Sequence, residues 1–224
     1  MQMRMMLTVF VGALSVACSP AVETTDDGGG TTGGGTTAAG TTGGGTTGGG
    51  TTGGGVEIDA ACLAKAGDGT AQGEQIQNIT LDICDGTNVQ LAEKVCNPAT
   101  KVTLVYFGAG WCQPCREKQA TLKKWYEKYN KCGLEIVDII SEQDAPNSPV
   151  TQTFCKASWK DFYDLPFDVM MDPFNDYTQP FLGGGGASLP IIALVDKDWK
   201  IVLKQVGSDD NTLEPTIKAL TGCN

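Results

Sequence analysis

The stretch from Lys101 to Phe107 is a continuous run rich in β-branched and aromatic side chains, and five residues later the chain reads Cys112-Gln113-Pro114-Cys115 and turns amphipathic. A run without polar alternation predicts a strand buried on both faces. From Gln113 to Lys131, the residues Leu122, Trp125, Tyr126 and Tyr129 recur at i, i+3, i+4 and i+7, the stripe of a helix packed on one side. Leu134 to Ile140 is a second apolar run. Strand, helix and strand in such short succession predict a parallel crossover, right-handed because the strands twist that way.

Ahead of this unit, Ile79 to Ile83 and Val89 to Leu91 flank Asp85-Gly86, whose glycine supplies the positive φ that a hairpin turn needs. Behind it, the pattern predicts a helix over 150–163, a short strand over 167–171 and a loop containing Gly183 to Gly186. A hairpin pairing 191–195 with 200–206 around Asp196 to Asp198 follows, and a helix over 211–220 closes the chain. The fold class is α/β: a central mixed sheet flanked by helices, with a β-hairpin added on the N-terminal side.

Residues 1–17 carry one basic side chain, Arg4, and an uncharged stretch from Met5 to Ala17 that ends at Cys18. It falls short of the ~20 residues of a membrane span and suits a signal peptide. Small residues ahead of a cysteine resemble a bacterial lipobox, with Ser15 standing where leucine is commonest, so Cys18 is the expected lipidation site. Gly28 to Gly55 contains only Gly, Thr and Ala, which cannot bury enough apolar area to offset the entropy of ordering. As a Gly-rich coil it reaches roughly 30 Å. The expected organisation is a signal peptide over 1–17, a lipidated Cys and tether over 18–55, and one folded domain over 56–224.

The chain holds 26 acidic and 16 basic residues and no histidine, for a net charge of −10. That excludes a basic footprint for nucleic acid, imidazole metal sites, and Ser-His or Cys-His catalysis. Cysteines and carboxylates remain as the reactive groups. Cys112 falls at a strand-to-helix junction, where unpaired N–H groups and the helix dipole favour a thiolate. Cys115, one turn on, is placed to resolve a mixed disulfide formed on Cys112. Pro114 suits a first helical turn because it has no N–H to leave unpaired, and Trp111 either shields the pair or touches substrate. Zinc would need a second such pair or histidines, so no metal is expected. A structural disulfide at 112–115, a disulfide oxidase or isomerase, and a binding role without catalysis are the alternatives. A peroxiredoxin would need threonine where Ala109 stands. Cys62, Cys84, Cys96, Cys132, Cys155 and Cys223 are an even set, for which an exported chain predicts structural disulfides. Their pairing stays open, except that a Cys84–Cys96 bond would have to span the length of the hairpin.

The strand, the segment Trp111-Cys112-Gln113-Pro114-Cys115, the helix, and Ser188-Leu189-Pro190 opening a later hairpin resemble the thioredoxin superfamily. Within it they look like the TlpA-like periplasmic thiol-disulfide oxidoreductases, over about residues 74–222. The resemblance implies a thioredoxin-like fold and an enzyme without a cofactor. It implies a cis Pro190 packed against the cysteine pair, with the backbone of Leu189 and the segment Trp111, Gln113 and Pro114 meeting substrate. It also implies protein thiol and disulfide substrates, a membrane thiol electron donor, and a lipid-anchored position facing the periplasm. Gln113-Pro114 resembles the dipeptide of reducing members. Three positions depart from the family pattern: Tyr106 replaces a buried carboxylate, Lys118 stands where TlpA-like reductases often have Glu, and Ala120 replaces a helix proline. The base for Cys115 is left open: Glu117 is a weak candidate and reads better as a solvated helix-face charge.

Overall fold

The computed structural model describes residues 57–183 and 188–223. The expected signal peptide, Cys18, the Gly/Thr tether and Gly184 to Gly186 lie outside the described residues.

The described part opens with one helical turn, α1 (Ala60–Leu63), which Asp59 caps by accepting from the Ala61 N–H at 2.9 Å. β1 (Thr80–Asp82) and β2 (Asn88–Gln90) form the expected antiparallel hairpin. At its turn Gly86 takes φ +88° and the Asp85 carboxylate accepts from the Thr87 N–H at 2.9 Å. The hairpin is a sheet of its own, stitched to the main one where Ile83 bridges Met170 and the Cys84 N–H donates to the Val169 carbonyl at 3.2 Å. A short helix that the sequence pattern does not predict, α2 (Ala92–Val95), follows.

β3 (Val102–Gly108), α3 (Gln113–Tyr129) and β4 (Leu134–Ile140) make the parallel crossover. The last turn predicted for α3 tightens to a 3₁₀ turn over Asn130–Cys132, and Gly133 at φ +103° ends it. The helix expected over 150–163 contains a wide π-helix, Phe154–Lys160. Both of its core side chains are tied to neighbours: Cys155 is bonded to Cys84, and the Trp159 indole N–H donates to Asp138 at 2.7 Å. Those anchors sit on the inner side of the widened turn. Then come β5 (Asp168–Met171), the unpredicted α4 (Thr178–Leu182), β6 (Ile191–Asp196), β7 (Ile201–Val206) and α5 (Leu213–Thr221).

The five strands run in the order β5-β4-β3-β6-β7, the first three parallel and the last two antiparallel to their neighbours. Side chains alternate across the sheet. Leu104, Tyr106 and Ile136 face α3, α5 and the π-helix, whereas Val105, Phe107, Val137 and Ile139 face the hairpin, α2 and Trp199. The second face is thus covered largely by residues that precede the sheet. Among the described residues, the six cysteines outside the 112–115 segment pair completely as Cys62–Cys96, Cys84–Cys155 and Cys132–Cys223. Because β3, β4 and β5 end together and β6 begins beside the end of β3, the segments that follow or precede those ends converge at one edge of the sheet.

Candidate active site

Cys112 sits at that edge as the N-cap of α3, with φ −78° and ψ 105°, an extended conformation that turns the chain from strand into helix. Its Sγ accepts from the Cys115 N–H at 3.2 Å, taking one of the donors that a helix start leaves free. Pro114 lies in the first turn. Cys112 and Cys115 are joined as a disulfide with their Cα atoms 5.2 Å apart. They are not equivalent: Cys112 retains 4% exposure and Cys115 none, and a cleft of about 450 Å³ is lined by Cys112 but not by Cys115. Outside attack is therefore open to Cys112 alone.

Trp111, Gln113, Pro114 and Leu189 all line this cleft, and the Leu189–Pro190 peptide bond is cis. Trp111 is 38% exposed, and its indole N–H is held by the Glu142 carboxylate. Gln113 donates to Glu117 at 2.9 Å. Glu117 is exposed on the solvent side of α3, so the solvated reading of that residue fits its position and a role beneath the buried Cys115 does not. The opposite wall comes from residues that sequence reasoning did not connect with the site, Ser141, Asn175, Thr178 and Gln179 among them. Ser141 directly follows β4, whereas Asn175, Thr178 and Gln179 reach the cleft because the segment after β5 is folded by Asp172, whose carboxylate accepts from the Asp176, Tyr177 and Thr178 N–H groups and from the Thr178 hydroxyl.

Beneath the pair lies a buried polar layer. The Tyr106 hydroxyl donates to the Cys115 carbonyl at 3.2 Å, and Gln119 Nε2 donates to the same oxygen at 3.4 Å. Burial pushes the Tyr106 pKa well above its usual value. Asp138 is fully buried; removal from water raises its pKa to about 7, against the opposing pull of the Trp159 hydrogen bond and of the Gln119 amide beside it. One oxygen of Asp138 and the Gln119 Oε1 are both buried acceptors without a donor. A proton on the Asp138 carboxyl converts one of these two neighbouring acceptors into a donor for the other. A buried carboxylate, absent from β3 where Tyr106 stands, is thus present on the adjacent strand, and the sequence signal for it was an Asp in the middle of a mainly apolar run. Lys118 is also buried: its ammonium meets Asp210 and the Ser208 carbonyl, and lies 4.6 Å from the Trp125 ring centre. It fastens α3 to the segment that follows β7.

The Redoxin family profile matches residues 71–220. Thiol-disulfide oxidoreductase ResA of Bacillus thuringiensis is 26% identical over 151 residues, covering 66% of this chain and 78% of that protein. Thioredoxin-like protein YneN of Bacillus subtilis is 25% identical over 105 residues, covering 46% and 55%. The solved thioredoxin domain of a thiol-disulfide oxidoreductase from Bacteroides vulgatus superposes with a TM-score of 0.52 at 23% identity, over 66% of this chain and 98% of that one. A Chlorobium tepidum chain assigned as thiol:disulfide interchange protein DsbE superposes with a TM-score of 0.56 at 23% identity, over 69% and 100%. At those identities the two structures speak for the fold.

Proposed function

Because the chain belongs to the Redoxin family and is a thiol-disulfide oxidoreductase of the thioredoxin superfamily, we propose that it reduces protein disulfides in the cell envelope through Cys112 and Cys115. The observation that carries this reading is the asymmetry of the pair: a helix-capping sulfur open to a cleft, with a second sulfur buried one turn behind it.

In the reduced protein the Cys112 thiolate attacks one sulfur of a substrate disulfide, forming a mixed disulfide and releasing the other substrate sulfur as a thiolate that takes up a proton. Cys115 then gives up its proton and attacks Cys112 Sγ, which releases the second substrate thiol and leaves the Cys112–Cys115 disulfide. Asp138 is the buried group suited to exchange that proton, since its pKa is about 7 and Gln119 links it to the Cys115 main chain. Trp111, Gln113, Pro114, Leu189 and Pro190 receive the substrate segment.

The reducing direction follows from a modest stabilisation of the thiolate. Pro114 supplies no N–H, the pair encloses no histidine, and the described lining of the cleft holds no cation. Whatever leaves the thiolate less stable makes the dithiol a better reductant. A membrane thiol donor would restore the dithiol, and lipidation of Cys18 with residues 18–55 as a tether would hold the domain near it. The test is insulin-type disulfide reduction by full-length variants. Cys112→Ser is expected to be inactive, and Cys115→Ser to accumulate substrates as mixed disulfides; full activity of Cys112→Ser would overturn the assignment.

A further inference from the structure

Glu142 is the one charged side chain among the described residues lining the cleft beside Cys112. It stands at the start of the segment after β4 and is held from several sides. Its carboxylate accepts from the Trp111 indole N–H, from the Asn147 backbone N–H at 3.1 Å and from the Asn175 amide at 3.4 Å, while its own carbonyl accepts from the Gly110 N–H at 2.7 Å. One side chain therefore fastens together the residue preceding the nucleophile, the segment after β4 and the segment after β5.

All of those donors are neutral. None of the ion pairs among the described residues includes Glu142. Arg116, the cation of the first turn of α3, lines a separate pocket that Gly110 also borders, together with Asp144, Phe154 and Phe162. The hydrogen bonds consequently fix the position of the Glu142 charge without cancelling it. Asp176, exposed beside Asn175, adds field of the same sign at the rim. The remaining walls are apolar or neutral, with Pro146, Leu182 and Leu189 beside Ser141, Thr178 and Gln179.

We infer that Glu142 is a specificity-determining and positioning residue of this cleft, which selects cystine-bearing segments flanked by neutral or basic side chains and rejects acidic ones. It does so through its fixed negative charge, while holding Trp111 as an apolar wall beside Cys112. The inference rests on the reductase reading above. A unit charge opposed by another some 6 Å away in a largely aqueous cleft changes encounter by about fivefold, and salt screens the effect.

The test uses the reduced full-length protein and two cystine peptides of equal length, one with lysines and one with glutamates beside the disulfide. Each rate is divided by the rate at which dithiothreitol reduces the same peptide, which removes differences in leaving-group chemistry. At low ionic strength the wild type is expected to prefer the lysine peptide by about fivefold or more, expressed in KM rather than kcat. Glu142→Gln retains an acceptor for Trp111 and should bring the ratio down to within about twofold of unity. The distant exposed variant Asp198→Asn should leave it where it was. Gln179→Lys places a cation in the same cleft and should move the preference toward the glutamate peptide, which keeps the test open if Glu142→Gln folds poorly. Reduction of both peptides at equal normalised rates by the wild type, or an unchanged ratio in a folded Glu142→Gln, overturns the inference. Reduction of neither peptide instead overturns the reductase reading on which it depends.

Discussion

Tyr106 and Asp138 are register partners across β3 and β4, and both belong to the buried layer under Cys115, Tyr106 through its hydroxyl on the Cys115 carbonyl and Asp138 through Gln119. A polar pair in the middle of a sheet buried on both faces costs desolvation, and that cost depends on pH because Asp138 titrates. In the folded chain its pKa is about 7, against 3.8 as the ordinary value. Between those two values the unfolded chain has released its proton and the folded chain has not, so stability falls as pH rises from about 4 to about 7 and is level beyond. At about 1.4 kcal/mol per unit the loss reaches at most about 4 kcal/mol. Asp138→Asn keeps an acceptor for Trp159 and a donor for Gln119 without the charge. Urea unfolding should find it nearly equal to wild type at pH 4 and more stable by about 2–4 kcal/mol at pH 8. Equal destabilisation at both pH values would show that the proton is not stored there.

The same substitution bears on the resolving step. If Asp138 takes the Cys115 proton, the rate at which a Cys112 mixed disulfide resolves should rise through an inflection near pH 7 in the wild type, and lose that inflection in Asp138→Asn. Rapid-quench measurement of the decay of the mixed disulfide from pH 5 to pH 9 checks this.

Gly110 separates the end of β3 from Trp111, and a Cβ there would lie 2.5 Å from the Phe154 ring and 2.8 Å from the Gln143 carbonyl. Backbone on one side and a packed aromatic on the other leave little room to yield. Gly110→Ala is therefore expected to cost about 1–3 kcal/mol in thermal unfolding and to lower kcat/KM by displacing Trp111. A variant with wild-type stability would mean that the π-helix carrying Phe154 moves freely.

The Cys62–Cys96 bond closes a separation of 34 residues and ties α1 to the residue that follows α2. By loop closure, opening it through Cys62→Ala with Cys96→Ala should cost up to about 4 kcal/mol. Because it lies in the layer on the far face of the sheet from α3, insulin reduction at 25 °C should persist in the folded fraction. Loss of activity without loss of stability would instead tie this bond to the catalytic cycle.

The strand-helix-strand unit was legible because Lys101 to Phe107 and Leu134 to Ile140 are predominantly apolar and β-branched, and the stripe of Leu122, Trp125 and Tyr129 lies at helical spacing between them. The redox pair was legible because its chemistry is carried by adjacent residues. What escaped was set by tertiary contacts. The π-helix has ordinary helical periodicity in sequence, and its widening accompanies the anchoring of Cys155 and Trp159. α4 is five residues long and starts where Asp172 gathers three backbone N–H groups, a device that no local pattern reveals. Glu142 carries no motif: its meaning comes from Trp111, Asn147 and Asn175 meeting it from three separate segments. The cysteine pairing likewise depends on which segments the fold brings together, and the hairpin geometry bore only on the pairing Cys84–Cys96, which the structure does not form.

The most direct measurement is a redox titration of the full chain in glutathione and dithiothreitol buffers, with thiols alkylated at each potential and located by mass spectrometry. Cys112–Cys115 is expected to open in one two-electron transition nearer about −270 mV than about −120 mV, while Cys62–Cys96, Cys84–Cys155 and Cys132–Cys223 stay closed to below about −300 mV. A midpoint above about −180 mV would contradict the reducing direction, and a 112–115 bond that stays closed while another of the four opens would contradict the site itself.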